Sequence, residues 1–201
     1  MFVRENNSHT NWFASDEQFN KLYPVAIRWH AQMFWTPIKI AKRAADFLAV
    51  QSDTRILDIG SGAGKFCLVA GHYHSAAHWY GIEQRKYLSN YSEELKKQLE
   101  LRNVFFKQGN FTQINFENFD HFYFYNSFYE NLDEMDRMDN AIDYSEELYH
   151  YYNRCLSRQL ELKPVGTRLA TLHSMGHEIP VSFQEVGAEF DGLLKFWIKA
   201  Y

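Results

Sequence analysis

The sequence is poor in the features that mark several common classes of protein. Its two cysteines, Cys67 and Cys155, supply neither a disulfide framework nor the ligand spacing of a zinc site. No apolar run reaches membrane-spanning length, and the first residues lack the apolar core of a signal peptide. We therefore expect a cytoplasmic protein with no membrane partner and no bound metal.

The charge balance bears on the kind of partner that the protein could bind. The formal net charge is −4, which argues against the basic footprint of general nucleic-acid binding, although a local basic patch stays open. The 201 residues fit one domain with a full core, and 17% of them are aromatic. Nothing in the composition fixes the oligomeric state.

The most informative segment of the chain is RILDIGSGAGKF at residues 55–66. A strand-like apolar run carries an acid at Asp58, breaks at Gly60, Gly62 and Gly64, and restarts as a helix-like segment. Closely spaced glycines let a backbone turn sharply and approach a ligand, and the following helix presents free N–H groups to an anion. The segment predicts a cofactor crevice at the end of a first strand.

Two common phosphate-binding loops do not fit this segment. A P-loop needs glycine where Ile59 stands and a hydroxyl residue where Phe66 stands. The dinucleotide fingerprint G-x-G-x-x-G/A fails because Lys65 occupies its sixth position.

The glycine pattern with an acid two residues before it resembles motif I of the class I S-adenosylmethionine methyltransferases. The resemblance continues at residues 78–83, which read as a second strand ending in Glu83, and at residues 105–111, which include Asn110. It covers residues 36–201. It implies that Glu83 binds the ribose and that Asn110, where the family has aspartate, contacts the adenine. The implied cofactor is S-adenosylmethionine, and the implied cofactor-binding residues are Asp58, Gly60, Ser61, Gly62, Gly64, Glu83, Gln84, Asn110 and Phe111.

Asn126-Ser127-Phe128-Tyr129 follows the fourth predicted strand, at the sheet edge where such folds bind ligands. The segment has the outer residues of the Asn-Pro-Pro-Tyr motif of N-methyltransferases, and it is also similar to a stretch of the Dot1-like lysine methyltransferases. An amide oxygen at Asn126 can accept a hydrogen bond from an attacking amine and orient its lone pair. We predict Asn126, Phe128 and Tyr129 as the catalytic residues, with the aromatic rings favouring a cationic sulfonium.

The pattern predicts an α/β fold with a doubly wound, mostly parallel seven-stranded sheet and a C-terminal antiparallel hairpin. An N-terminal helical extension at residues 1–35, a candidate lid, precedes a cofactor-binding domain at residues 36–201. Helix starts are expected at Ser15, which has capping-box form, and at Thr36, whose hydroxyl is expected to act as the N-cap before a proline at the first helical position. The strands are expected at residues 55–59, 78–82, 104–107, 121–125, 167–172, 186–190 and 195–201.

The resulting hypothesis is methyl transfer to the nitrogen of an amine or amide, on a protein side chain or a small molecule. An O-methyltransferase is the alternative enzyme and needs a base, for which His173 and Glu130 are the visible candidates. A non-catalytic binding module is the third reading. Tyr23, Trp29 and Trp35 are candidates for an acceptor pocket or lid. An acidic run could attract a basic acceptor; it comprises Asp133, Glu134, Asp136, Asp139 and Asp143.

Overall fold

The computed structural model describes residues 11–29, 31–132, 137–174, 176 and 178–201. Its helices are α1 Asp16–Asn20, α2 Val25–Arg28, α3 Ala31–Phe34, α4 Ile38–Leu48, α5 Lys65–Tyr73, α6 Lys86–Gln98 and α7 Glu146–Glu161. Its strands are β1 Arg55–Ile59, β2 His78–Glu83, β3 Val104–Gln108, β4 His121–Phe124, β5 Arg168–Leu172, β6 Phe183–Glu189 and β7 Leu194–Lys199. Short 3₁₀ turns cover residues 111–113, 116–118 and 129–131.

The seven strands form one sheet in the order β3-β2-β1-β4-β5-β7-β6. Strands β1 to β5 are parallel, and β7 runs antiparallel to both β5 and β6. This confirms the predicted doubly wound sheet with its closing hairpin. Strand β6 begins at Phe183, earlier than the expected residue 186, and a bulge between Glu185 and Gly187 interrupts its pairing with β7.

The sheet buries apolar side chains on both faces, which is why its central strands read as nearly continuous apolar runs. Ile56 and Tyr123 belong to the core on one face, with the buried sides of α4 and α5. Leu57 and Phe122 belong to the core on the other face, where α7 packs. Neighbouring residues of a strand alternate between the two cores because side chains along a strand point to opposite faces.

Asp16 connects the first helix, α1, to two later helices. The Ser15 hydroxyl caps α1 by accepting a hydrogen bond from the Gln18 N–H at 3.1 Å, as predicted. Asp16 Oδ1 then accepts from the Ile38 N–H at 3.0 Å and from the Lys65 ammonium. One carboxylate therefore joins α1 to the first turns of α4 and α5.

The prediction that Thr36 caps α4 with its side chain is wrong. The Thr36 hydroxyl forms a hydrogen bond of 2.8 Å with the hydroxyl of Tyr123, and Asp16 binds the first N–H of the helix instead. The hydroxyl has a partner from a distant strand, which local sequence does not reveal. Upstream, Phe19 and Tyr23 are buried in the same core as α4. The domain boundary at residue 35 stays a prediction.

None of the helices among the described residues has the length and apolar character needed to cross a membrane.

Replacing Asp16 by Ala should lower the free energy of unfolding by about 2 kcal/mol, because the variant loses a charged acceptor of two hydrogen bonds. One of those bonds comes from Lys65, whose side chain is 4% exposed and also donates to Asn20 Oδ1 at 3.0 Å, a neutral partner that would not replace the lost carboxylate. Urea unfolding measures the change. Glu17→Ala is the matched control, since its ion pair with Lys21 is exposed and should contribute about 0.5 kcal/mol or less. Equal losses in the two variants would contradict the bridging role of Asp16.

Candidate active site

A cavity of about 440 Å³ opens at the carboxyl edge of the parallel strands. Residues that lie just beyond the ends of four strands line it: Gly60 after β1, Gln84 after β2, Asn126 after β4 and His173 after β5. The carboxyl edge is where open α/β sheets bind ligands, and the volume is in the usual range of small-molecule sites.

The structure brings most of the predicted site residues together around this cavity. The predicted residues that line it are Asp58, Gly60, Ser61, Gly62, Glu83, Gln84, Phe111, Asn126, Phe128 and Tyr129. Gly64 and Asn110 lie behind the wall rather than in it. The role of each predicted site residue toward a ligand stays a prediction.

The three loop glycines serve different purposes although all have positive φ, at 77°, 53° and 81°. A Cβ at Gly60 would lie 2.5 Å from the Ser127 side chain, and a Cβ at Gly64 would lie 2.6 Å from the Phe106 ring. A Cβ at Gly62 would meet nothing within 4 Å. Gly60 and Gly64 therefore allow close packing, whereas Gly62 leaves space open at the cavity.

Asp58 is a buried carboxyl group at the base of the loop. The Cys67 thiol donates a weak hydrogen bond to Asp58 Oδ2 at 3.6 Å. Burial raises the pKa of Asp58 to about 8; the hydrogen bond from Cys67 lowers this pKa, and the charge of Glu83 raises it. A carboxyl group in this state is poised to ionise when a cation enters the cavity.

Glu83 ends β2 with both carboxylate oxygens engaged. Its Oε2 accepts from the Gly62 N–H at 3.0 Å, and its Oε1 accepts from the Arg85 N–H at 2.8 Å. Burial raises the pKa of Glu83, while these two N–H groups and the charge of Arg85 lower it. The carboxylate thus links the glycine loop to the end of β2.

Asn110 has hydrogen-bond partners for both its amide oxygen and its amide nitrogen. Its Oδ1 accepts from the N–H and the hydroxyl of Thr112, at 3.0 and 2.9 Å. Its Nδ2 donates to Gln84 Oε1 and to the Tyr152 hydroxyl, each at 3.0 Å. Asn110 caps the 3₁₀ turn that carries Phe111 into the cavity wall, so its contribution to the site in this conformation is to place Phe111.

Two neighbouring strands end on residues with left-handed backbone conformations. Asn126 has φ 34° and His173 has φ 53°, and both line the cavity. Strand β4 pairs with β5 with Phe124 opposite Thr171, so continuation of this register puts Asn126 level with His173. Left-handed non-glycine residues cost free energy and cluster at functional sites.

Phe128 and Tyr129 occupy different environments. Phe128 is buried and stacks on Phe111, with ring centroids 5.0 Å apart. Tyr129 is 36% exposed at the rim of the cavity. Phe128 therefore belongs to the buried wall of the cavity, and Tyr129 is the accessible ring.

The two candidate bases also differ in their surroundings. Glu130 Oε2 accepts hydrogen bonds from the Arg85 guanidinium and from the Tyr144 hydroxyl, so it is part of an ion-pair network. His173 stacks on Tyr125 at 5.5 Å. The role of either residue as a base stays a prediction, and His173 lines the cavity beside Tyr125.

One described member of the predicted acidic run is held in an ion pair. Asp139 accepts a hydrogen bond from Arg85 Nε at 3.1 Å. Asp133, Glu134 and Asp136 lie outside the described residues. In the described part of the chain, no group of three or more His, Cys, Asp or Glu side chains is arranged to hold a metal ion.

Lys65 and Arg85 line the cavity although the sequence analysis did not assign them to the site. Lys65 directly follows Gly64, and its ammonium is held by Asp16 and Asn20. The position of Lys65 directly after the last glycine of the motif was the sequence signal that could have assigned it to the site. Arg85 follows Glu83 by two residues, but its partners are far along the chain, so no local pattern indicates its role.

The three N-terminal aromatic residues predicted for an acceptor pocket or lid lie in different positions relative to the cavity. Trp35 lines the cavity, and Tyr23 packs behind it with ring centroids 4.4 Å apart. The Tyr23 hydroxyl donates to the Ala63 carbonyl at 2.8 Å, which ties it to the glycine loop. Trp29 is 80% exposed and does not belong to the cavity lining.

Residues 50–161 match the model of a family described as "Methyltransferase domain", which is more than half of the chain. The chain belongs to this methyltransferase family. A comparison of the methyltransferase with curated proteins gives no sequence match.

Solved structures share its fold at low identity. An RNA methyltransferase from Salinibacter ruber, in complex with S-adenosyl-L-homocysteine, is 20% identical with a TM-score of 0.55, covering 82% of this chain and 92% of that chain. TrmN from Thermus thermophilus is 17% identical with a TM-score of 0.60, covering 86% of this chain and 51% of that chain. A variant of MtNAS in complex with S-adenosylmethionine is 13% identical with a TM-score of 0.56, covering 94% and 69%. The methyltransferase thus spans about half the length of TrmN, and these likenesses establish the fold alone.

Asp58→Asn should stabilise the ligand-free methyltransferase more at pH 9 than at pH 5. The folded-state pKa of Asp58, about 8, lies above the ordinary value of 3.8, so its stabilising contribution is present below pH 4 and is lost as pH rises through 8. Asparagine cannot ionise and escapes this loss. Urea unfolding of both proteins across this pH range measures the difference. A difference that does not grow with pH would contradict the raised pKa.

Proposed function

We propose that the chain transfers a methyl group from S-adenosylmethionine to an uncharged nitrogen of an acceptor, in an amide or a conjugated amine. The observation that carries the proposal is the shared cavity, which Gly60, Gly62 and Glu83 line together with Asn126. Bound S-adenosylmethionine supplies an electrophilic methyl group on a sulfonium. The residues of the chain then need to bind, orient and exclude water.

The glycine loop fits the cofactor because of the space at Gly62. Its missing side chain leaves the cavity open where a branched residue would intrude. Glu83, at the end of β2, offers carboxylate oxygens suited to two ribose hydroxyls. Binding of a ribose there would exchange the present hydrogen bond from the Gly62 N–H, which is 3.0 Å long, for hydroxyl donors.

Two buried ionisable groups suit the amino-acid end of the cofactor, which carries an ammonium and a carboxylate. Asp58 and Lys65 both line the cavity and are each 4% exposed. An ammonium near Asp58 would favour its ionised form, and Lys65 could share its charge between Asp16 and a ligand carboxylate. Opposite charges in a poorly hydrated site orient a zwitterion by charge complementarity.

The acceptor half of the site is the part of the lining contributed by residues 34–36, 125–131, 138–144 and His173. Asn126 is well placed there to accept a hydrogen bond from an acceptor N–H and to direct the nitrogen lone pair. Tyr129 and Trp35 offer flat faces beside it. A planar amide or conjugated amine can stack against such faces.

The charge of the acceptor half supports a neutral nitrogen. Among its described lining residues the carboxylate is Glu130, and that carboxylate binds Arg85. An ammonium group entering this half would have no unpaired carboxylate from those residues to replace its hydration. This favours a neutral acceptor over the basic acceptor that the acidic run had suggested.

O-methylation is the second candidate, and the level register of His173 with Asn126 favours it. A hydroxyl acceptor needs a base, and His173 lines the cavity beside Tyr125. Linkage analysis of the product separates the two chemistries.

The direct test of function is transfer of labelled methyl from S-adenosylmethionine into cell extract, fractionated into protein, nucleic acid and small molecules. Label in an N–CH₃ group supports the proposal, and label in an O–CH₃ group supports the second candidate. Binding of S-adenosylmethionine with no transfer into any fraction would favour a binding module and overturn the proposed enzyme.

Gly62→Val should abolish binding of S-adenosylmethionine with retention of the fold, because the isopropyl group enters the space of the ligand. Calorimetry measures affinity, and circular dichroism checks folding. Gly166→Val is the matched control: Gly166 has φ 88°, a Cβ there would also meet nothing within 4 Å, and the residue lies outside the cavity lining. Equal effects of the two variants would mean that backbone strain alone is responsible.

Asn126→Gly should lower turnover on the order of 100-fold with little change in cofactor affinity, since the amide orients the acceptor in the transition state. Glycine accepts the left-handed conformation, so the variant avoids the strain that alanine would add. Asp191→Gly controls for the relief of strain, because Asp191 has φ 55° in the β6–β7 turn. Full turnover in Asn126→Gly would return Asn126 to the role of strand terminator.

A further inference from the structure

Arg85 joins three separate parts of the chain around the cavity. Its guanidinium lies 3.5 Å from Glu83 Oε1, donates to Glu130 Oε2, and donates from Nε to Asp139 Oδ1 at 3.1 Å. It also donates to the Tyr144 hydroxyl at 2.6 Å. We call Arg85 with these four partners the Arg85 cluster.

The Arg85 cluster is buried enough for its charges to depend on one another. The side chains of Arg85, Glu83 and Glu130 are 5%, 6% and 12% exposed. Removal of this cation would leave three carboxylates close together, two of them in a poorly hydrated site. Unpaired buried charges are strongly destabilising, so the segments that carry them would separate.

The partners of Arg85 belong to both halves of the site. Glu83 is the proposed ribose ligand, at the end of β2. Residues 138–144 carry Asp139 and Tyr144, and they also place Met138, Ile142 and Tyr144 in the cavity lining. We call these last three residues the acceptor wall. Arg85 is the cation that attaches this wall to the cofactor half.

We propose that Arg85 is a positioning residue that holds the acceptor wall in place, so that the acceptor site is complete beside the cofactor. This inference rests on the proposed function. Arg85 acts through Glu130, Asp139 and Tyr144 and takes no part in the methyl transfer itself. Its backbone N–H, which binds Glu83 at 2.8 Å, survives any substitution of the side chain except proline.

The side-chain geometry explains why arginine is needed. A planar guanidinium has five N–H donors and here serves several acceptors in different directions. Lysine keeps the positive charge near Glu83 but offers one ammonium that cannot span the same partners. Arg85→Lys therefore loosens the acceptor wall with less effect on the cofactor half.

The test compares Arg85→Lys with wild type in three measurements. S-adenosylmethionine affinity, by calorimetry, should change by no more than about threefold, because a charge and the backbone N–H stay at Glu83. The apparent KM, titrated with the extract fraction that wild type labels, should rise about tenfold or more, and kcat should also fall. Amide hydrogen exchange of residues 138–144 should be about tenfold faster.

Arg43→Lys is the matched control. Arg43 also binds two carboxylates, Glu189 and Asp46, but on the exposed surface away from the acceptor wall. It should leave all three measurements unchanged. Tyr144→Phe removes one member of the cluster and keeps the ring, so it should raise the KM modestly and add little in the Arg85→Lys background.

The outcomes separate this inference from the proposed function. Exchange is measured on the ligand-free protein, so unchanged exchange at residues 138–144 in Arg85→Lys overturns the inference whether or not the wild type transfers methyl groups. A loss of activity matched by an equal loss of S-adenosylmethionine affinity overturns it too, because Arg85 would then act through Glu83. Absence of transfer by the wild type overturns the proposed function instead.

Discussion

Burial of charge at the carboxyl edge of the sheet is the constraint on which the rest of this structure depends. Lys65 and Arg85 are both about 5% exposed or less, and a buried cation requires partners with good geometry. Lys65 obtains Asp16 from the N-terminal helices, and Arg85 obtains Glu130 and Asp139 from the chain after β4. The two segments that enclose the cavity are thus held in place by the same requirement. Asp58 differs, since its carboxyl group accepts a weak hydrogen bond from the neutral thiol of Cys67 at 3.6 Å.

The sequence predicts those features that depend on neighbouring residues. Strand β1 ends at Ile59 as expected, because an apolar run followed by three glycines specifies both a strand and its sharp turn. The order of the parallel strands and the closing hairpin also follow from the local pattern combined with the family resemblance. The grouping of most predicted site residues around one cavity is a consequence of that topology, since carboxyl ends of parallel strands meet at one edge.

The features that sequence reasoning missed depend on partners far along the chain. Thr36 has the local signature of a helix cap, yet its hydroxyl bonds to Tyr123, which is 87 residues away. Arg85 reads as an ordinary surface arginine at the start of a charged helix, but Glu130 and Asp139 come 45 and 54 residues later. A capping preference is worth about 1 kcal/mol, so a tertiary hydrogen bond or a buried ion pair readily overrides it. Asn110 likewise has partners that are distant in the sequence, because its Nδ2 donates to Gln84 and Tyr152, 26 and 42 residues away.

The two halves of the cavity are built by different means, and this bears on how specificity could change. The cofactor half uses strand ends and glycine backbone, in which a side chain at Gly60 or Gly64 would collide with a neighbour. The proposed acceptor half also uses residues 34–36 and 138–144, which lie outside the strands. Arg85 attaches residues 138–144 through its ion pair with Asp139, and Lys65 pairs with Asp16 of α1, which precedes residues 34–36 in the chain. Substitutions in those segments can alter the shape offered to the acceptor without disturbing the sheet. The ion pairs must be kept while the lining residues change. We therefore expect Lys65 and Arg85 to vary less in evolution than the aromatic residues that line the proposed acceptor half.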